Sequence, residues 1–252
     1  MNKLLYILIF LLSLFSSQQD YYNKKNKPST WGIDQYVIKQ HDSIIFEYEY
    51  LINDTIYDVA IYSEDLREYS DDNNLGFFYI PDEIVITNEE RYIEYEFKDL
   101  SRFKRLFLSY TERTVKAVIF HELTHAYFHQ IVELRNMNNE FVSPEYKNFN
   151  IFPRVGENFG ADFIEEGICE YTVYTLNECA PLGHILIPKT EEELLHEDNR
   201  INNLYHYSVY FLRDFMDEYG IKRGIEILIS NRPPTHEEIL NSDKFFNRLK
   251  IN

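Results

Sequence analysis

The chain of 252 residues is 44% hydrophobic and 16% aromatic, which is enough apolar material for one sizeable core. Its 42 acidic residues outnumber the 25 basic ones, and the formal charge of -17 would repel phosphate backbones and anionic lipid surfaces. We therefore expect one globular domain over residues 19–252 and no nucleic acid among its partners. The acidic surface is explained most simply by solubility, with attraction of cationic substrates as the alternative.

The N-terminus carries one lysine, then an apolar run from Leu4 to Phe15, then small polar residues. This order predicts a secretory signal peptide over residues 1–18 and a secreted or periplasmic protein. As a helix the run would cover ~18 Å, less than the ~30 Å hydrocarbon core, so no stable membrane anchor is expected. An uncleaved anchor at the membrane surface is the alternative. The two cysteines, Cys169 and Cys179, are expected to be free, because on one continuous helix they would lie ~15 Å apart.

Strand patterns dominate residues 31–100. Apolar and charged residues alternate over 44–50 and 93–98, and a period of two predicts strands. The segments YDVAIY, residues 57–62, and GFFYIPDEIVIT, residues 76–87, predict further strands. This part of the chain is therefore expected to form a small antiparallel or mixed sheet.

Helical patterns occupy residues 109–252. Ser109 and Glu112 form a candidate capping box before a long apolar helix, and residues 136–160 predict a long loop that could shape or cover a cleft. Further helices are predicted over 161–176, from about 203 to 219 with a stop at Gly220, and after a capping box formed by Thr235 and Glu238. Because strands precede helices along the chain, the predicted fold class is α+β.

The segment VIFHELTHAYFH, residues 118–129, carries the clearest chemistry. His121 and His125 are four residues apart, so on a helix their imidazoles share one face and can converge on one zinc ion. In such an H-E-x-x-H arrangement the intervening Glu122 acts as general base and general acid toward water and the leaving amine. His129 lies ~12 Å along the axis from His121, too far to bind the same ion.

A third ligand must come from elsewhere, and the next predicted helix contains EEGICEY. HELTH followed by EGICEY resembles the gluzincin branch of the zinc metallopeptidases, the thermolysin-like and aminopeptidase-like enzymes. The resemblance implies a zincin-like fold and Glu166 as the third zinc ligand, with Gly167 and Tyr171 matching the family pattern and Cys169 standing where it often has alanine. It also implies that Glu170 hydrogen-bonds a ligand histidine. Glu165 is the second choice for the ligand, since only one of two adjacent glutamates can face the metal.

Two further features are similar to the wider family. The strand at 76–87 precedes the HELTH helix, and its edge could pair with an extended substrate or could simply belong to the core. Tyr205, at the start of a C-terminal helix, resembles a residue that stabilises the oxyanion in small gluzincin-like proteins. His206 and Tyr207 are the alternatives to Tyr205, and a packing role is the alternative for all three.

The sequence thus predicts an exported zinc-dependent metallopeptidase that hydrolyses peptide or protein substrates. The metal ligands would be His121, His125 and Glu166, and the catalytic residues Glu122 and Tyr205. The alternative is a non-catalytic zincin-fold module that binds a peptide or partner protein. Peptide deformylase also uses H-E-x-x-H, but it requires a cysteine ligand upstream of that motif, and both cysteines here lie downstream.

Overall fold

The computed structural model describes residues 33–56, 59–64, 76–79, 83–87, 112–147, 158–177, 185–196, 199 and 202–250. The described residues fall into two compact units. The smaller one lies within Met1–Ile44, Ile61–Phe77 and Ile84–Ile119, and the larger one within Ile45–Ala60, Phe78–Glu83 and Phe120–Asn252. The predicted signal peptide, Ser109 and Cys179 lie outside the described residues.

Helices make up most of the described chain. They are α1 (Ile33–Ile52), α2 (Glu112–Met137), α3 (Pro144–Lys147), α4 (Phe159–Asn177), α5 (Glu191–Leu195), a π-helical segment (Asn202–Tyr207), α6 (Ser208–Tyr219), α7 (Ile221–Ile229), α8 (His236–Leu240) and α9 (Ser242–Phe246). The strands are short: β1 (Ala60–Glu64), β2 (Gly76–Tyr79) and β3 (Glu83–Thr87), in the order β1-β3-β2. None of the described helices is long and apolar enough to cross a membrane.

The predicted α+β fold class, with its N-terminal sheet, is wrong, because the described residues are mostly helical. The clearest error is the strand predicted at residues 44–50, which lie inside α1. Ile44, Tyr48 and Ile52 are buried at a spacing of four, whereas Phe46 and Tyr50 are 69% and 83% exposed. The buried apolar residues therefore follow the helical period, and the alternation that suggested a strand came from two exposed aromatic side chains.

The remaining strand predictions have different outcomes. Residues 57–62 and 76–87 overlap the three short strands, while 93–98 lie outside the described residues. The loop predicted over 136–160 contains the short helix α3.

Helices with clear end signals occur where the sequence predicts them. The helix predicted over 161–176 is α4, and the one predicted from about 203 to 219 is the π-helical segment continued by α6. Gly220 ends α6 with a φ of 74°, a left-handed conformation that favours glycine. The capping box is confirmed: the Thr235 side chain accepts from the Glu238 backbone N–H, and the Glu238 side chain accepts from that of Thr235.

The larger unit is built around the contact between α4 and α6. Gly167 makes this contact possible, because a Cβ atom at that position would lie 2.8 Å from Leu212 Cδ1 and 2.8 Å from Ser208 Cβ. Both distances are shorter than ordinary van der Waals contact, so only glycine allows the two helices to approach so closely. Gly167 directly follows Glu166 in the chain. The close packing of α4 against α6 therefore sets the position of Glu166 relative to α6.

A buried chain of hydroxyl groups joins α1, α2 and α4. The Tyr48 hydroxyl donates to Thr124 Oγ1 at 3.1 Å, and Thr124 Oγ1 lies 2.8 Å from Thr172 Oγ1. All three side chains are fully buried. Because Thr124 precedes His125 in the chain, these contacts hold the histidine-bearing part of α2 against α4.

A second polar network, centred on Glu238, connects residues near the C-terminus. The Glu238 carboxylate accepts hydrogen bonds from Arg232 at 2.8 and 2.9 Å, from Arg248 Nε at 2.6 Å and from the Thr235 backbone at 2.8 Å. Burial alone would raise the pKa of Glu238, but hydrogen bonds from Arg248, Arg232 and Thr235 lower it to about 2.

Candidate functional site

Helix α2 brings His121 and His125 together on one side, within its buried part. Phe120 and Leu123 are fully buried, and the histidines lie one turn apart with side chains 13% and 16% exposed. Their Nε2 atoms are 3.3 Å apart. The helix spacing predicted from HELTH therefore produces two imidazoles whose Nε2 atoms face one point in space.

Helix α4 supplies a third donor atom at the same point. Glu166 Oε2 lies 3.2 Å from His121 Nε2 and 3.8 Å from His125 Nε2. This oxygen is buried and has no hydrogen-bond partner among the described residues. A buried carboxylate oxygen needs a positive partner, which either the protonated His121 at 3.2 Å or a metal cation held between the three atoms would supply.

The separations of these three atoms fit a zinc ion. Zinc binds histidine nitrogen and carboxylate oxygen at ~2.0–2.2 Å with tetrahedral geometry, which places neighbouring donor atoms about 3.3–3.5 Å apart. The observed separations of 3.3, 3.2 and 3.8 Å lie close to that range. His121, His125 and Glu166 could therefore hold zinc and leave a fourth position open.

Each histidine has a carboxylate on its other ring nitrogen. Glu165 Oε1 lies 2.6 Å from His125 Nδ1, and Glu170 Oε1 lies 3.0 Å from His121 Nδ1. Such contacts fix the tautomer and orientation of a metal-binding histidine, so that Nε2 is left to face the metal. Both outer carboxylates come from α4, one on either side of Glu166 in the sequence.

Three carboxylates of α4 shift the pKa values of the two histidines. Burial alone would lower both pKa values. The neighbouring Glu166 and Glu170 outweigh this effect and raise the pKa of His121 well above its usual value. For His125, the neighbouring Glu165 and then Glu166 raise the pKa to about 9.

Glu122 lies beside both histidines on α2, and its residue is only 7% exposed. Burial raises the pKa of its carboxyl group, the charges of His121 and His125 oppose that rise, and those of Glu166 and Glu165 add to it. A carboxylate with increased proton affinity is suited to accepting a proton from water and returning it to a leaving group.

Tyr205 lies in the π-helical segment, with its ring centroid 6.0 Å from that of His121. The charge of Glu166, followed by burial, raises the pKa of its hydroxyl, which therefore stays neutral and able to donate a hydrogen bond. The two alternatives from the sequence differ in their surroundings. The Tyr207 hydroxyl donates to the Ile239 carbonyl at 2.8 Å, and His206 Nδ1 is buried without a hydrogen-bond partner among the described residues.

Cys169 also lies beside the histidine pair. It is a free cysteine with 0% exposure, and its Sγ lies within 4.8 Å of ligating atoms of His121 and His125. Glu166 is the candidate third ligand that also matches the sequence pattern, and its Oε2 lies 3.2 and 3.8 Å from the two histidine Nε2 atoms.

The site residues selected from the sequence are thus brought together, with one difference in role. Glu165, considered only as a second choice for the metal ligand, contacts His125 Nδ1 instead. The sequence contains a signal for this contact: if both histidines bind a metal, each needs an orienting partner, and the resemblance provides only Glu170.

Comparisons with known proteins give no further guidance, because no family model, curated protein or solved structure matches the chain.

Proposed function

We propose that this protein is a zinc-dependent hydrolase that cleaves peptide bonds. One observation carries the proposal: His121 Nε2, His125 Nε2 and Glu166 Oε2 lie 3.2–3.8 Å apart, with the carboxylate oxygen lacking a hydrogen bond. This donor set, two histidines and one carboxylate with one position open, is typical of catalytic zinc sites. The resemblance of HELTH and EGICEY to the gluzincins belongs to the same proposal, as does export directed by residues 1–18.

The chain's own residues have distinct roles in the proposed reaction. Zinc, when bound, would lower the pKa of water and polarise the scissile carbonyl. Glu122 takes the proton from the attacking water and delivers it to the leaving amine nitrogen. Tyr205 donates its hydroxyl proton in a hydrogen bond to the carbonyl oxygen as negative charge develops there. Glu165 and Glu170 hold the two imidazoles in the orientation that directs both Nε2 atoms inward.

Metal content tests the first half of the proposal. We expect one zinc per chain in the purified wild-type protein by mass spectrometry, and strongly reduced zinc in Glu166→Ala. Glu133→Ala is the matched control, because Glu133 is an exposed glutamate on α2 outside the donor set. A wild-type protein that takes up no zinc even after reconstitution would contradict the proposal.

Turnover tests the second half. With a fluorogenic peptide library, zinc-loaded wild type and Glu133→Gln should cleave at equal rates, whereas Glu122→Gln should keep its zinc and lose at least ~100-fold in rate. Cleavage by Glu122→Gln at the wild-type rate would disprove the role of Glu122. Bound zinc without cleavage of any peptide would favour the non-catalytic binding module instead.

A further inference from the structure

Cys169 is a potential metal ligand to which the proposed function assigns no role. It follows Glu166 by three residues on α4, so the two side chains lie on neighbouring parts of one helix face. Its sulfur lies within 4.8 Å of ligating atoms on both His121 and His125. The thiol is fully buried and is not part of a disulfide. Two histidines and one cysteine therefore form a cluster that is capable of binding a metal ion.

The distances allow a metal–sulfur bond with little rearrangement. Zinc binds thiolate sulfur at ~2.3 Å and histidine nitrogen at ~2.0–2.1 Å, so that sulfur and nitrogen donors of one tetrahedral ion lie about 3.6 Å apart. From a separation of at most 4.8 Å, the sulfur has to approach by no more than about 1.2 Å. A partial rotation about the Cα–Cβ bond of cysteine moves Sγ by an amount of this order.

We propose that Cys169 replaces Glu166 as the third protein ligand when this centre takes up thiophilic divalent ions such as Co²⁺ and Cd²⁺, so that a metal–sulfur bond forms and one position stays open. The S–H bond breaks as the metal–sulfur bond forms, and the proton passes to solvent. This inference rests on the proposed function, since it requires the metal site that His121 and His125 form there. It exchanges a hard oxygen donor for a soft sulfur donor, and soft donors change which metals a site prefers.

The ultraviolet absorption of the cobalt-loaded full chain tests the proposal directly. Thiolate bound to Co²⁺ gives an intense charge-transfer band in the near ultraviolet, and nitrogen and oxygen donors do not. We expect this band in wild type and in Cys179→Ala, and its loss in Cys169→Ser and Cys169→Ala. Cys179→Ala is the matched control, because it removes the other thiol of the chain. Serine is nearly the same size as cysteine, so loss of the band in Cys169→Ser cannot be attributed to a cavity in the core.

Metal affinity gives a second readout. Competition titrations should show that Cys169→Ser lowers the affinity for Cd²⁺ by at least ~10-fold more than the affinity for Zn²⁺, because cadmium depends more on the soft donor.

The outcomes separate this inference from the proposed function. Bound cobalt without the band in wild type would overturn the sulfur ligand and leave the proposed function intact. A band that persists in Cys169→Ser would also overturn it. Failure of wild type to bind zinc, cobalt or cadmium would overturn both.

Discussion

Replacing Glu165 by glutamine should weaken zinc binding without abolishing it. The 2.6 Å contact between Glu165 Oε1 and His125 Nδ1 involves a carboxylate whose side chain is only 7% exposed. A buried hydrogen bond to a charged group contributes about 1.5–3 kcal/mol, which corresponds to about 10–100-fold in a binding constant. Glutamine keeps an acceptor oxygen but loses the charge, so we expect about 10-fold weaker zinc binding. Alanine removes both, and we expect about 100-fold.

The assay is a competition titration of zinc against a chromophoric chelator at constant pH. Glu170→Gln is the matched comparison, since Glu170 Oε1 contacts His121 Nδ1 at the longer distance of 3.0 Å with 19% side-chain exposure. A longer, more hydrated contact should contribute less, so the loss of affinity should be smaller than for Glu165→Gln. Glu133→Gln should bind zinc like wild type.

Two results would refute the reasoning in different ways. If both Glu165 variants bound zinc within twofold of wild type, the contact with His125 would have no part in holding the metal. If instead Glu165→Ala lost zinc completely while Glu166→Ala retained it, the assignment of the third ligand would be reversed.

Three further predictions concern the scaffold around the site. Gly167→Ala should destabilise the protein by about 1–3 kcal/mol and lower the Tm by several degrees, because the new methyl group would meet Leu212 at 2.8 Å; an unchanged Tm would show that α4 and α6 adapt without strain. Glu238, with its pKa lowered from 4.5 to about 2, stabilises the fold above about pH 4.5, and this contribution disappears as the pH falls toward 2. The Tm difference between wild type and Glu238→Gln should therefore be largest near neutral pH and shrink below about pH 4, and a constant difference would contradict the role of its charge. Tyr48→Phe should cost about 0.5–1.5 kcal/mol in urea unfolding. Thr124→Val should cost more, because it leaves the buried Tyr48 hydroxyl without an acceptor, while Thr172 keeps its hydrogen bond to the Cys169 carbonyl; the reverse order would exclude the hydroxyl chain as a stabilising network.

The parts of the fold that the sequence predicts correctly are those with local signals. The stop at Gly220 and the capping box of Thr235 and Glu238 depend on residues a few positions apart, so they can be identified without knowledge of the tertiary structure. The helix α1 lacks such a signal. Its apolar residues were too frequent to show which of them would be buried, and the exposed Phe46 and Tyr50 produced the misleading alternation.

In the candidate site, too, the features with local sequence signals are the ones that can be predicted. The spacing of His121 and His125 is a local property of one helix, so their convergence follows from the sequence. The pairing of Glu165 with His125 depends on how α4 is rotated against α2, and no residue spacing specifies that rotation. Glu166 could be selected only because its surroundings resemble a known pattern. Its role as a zinc ligand, like the zinc itself, stays a prediction.

The direction of the Tyr205 side chain depends on the number of residues in the π-helical segment Asn202–Tyr207. A π-helical turn accommodates more residues than an α-helical turn, so it is equivalent to an insertion into a regular helix. Deleting His206, the residue after Tyr205, would allow the segment to continue as α-helix and would turn Tyr205 by about 100° relative to α6. The Tyr205 ring would then leave the side of His121 although no residue in contact with either ring had been replaced. Alignments of this region between related chains should therefore be judged by whether they preserve this extra residue as well as the tyrosine.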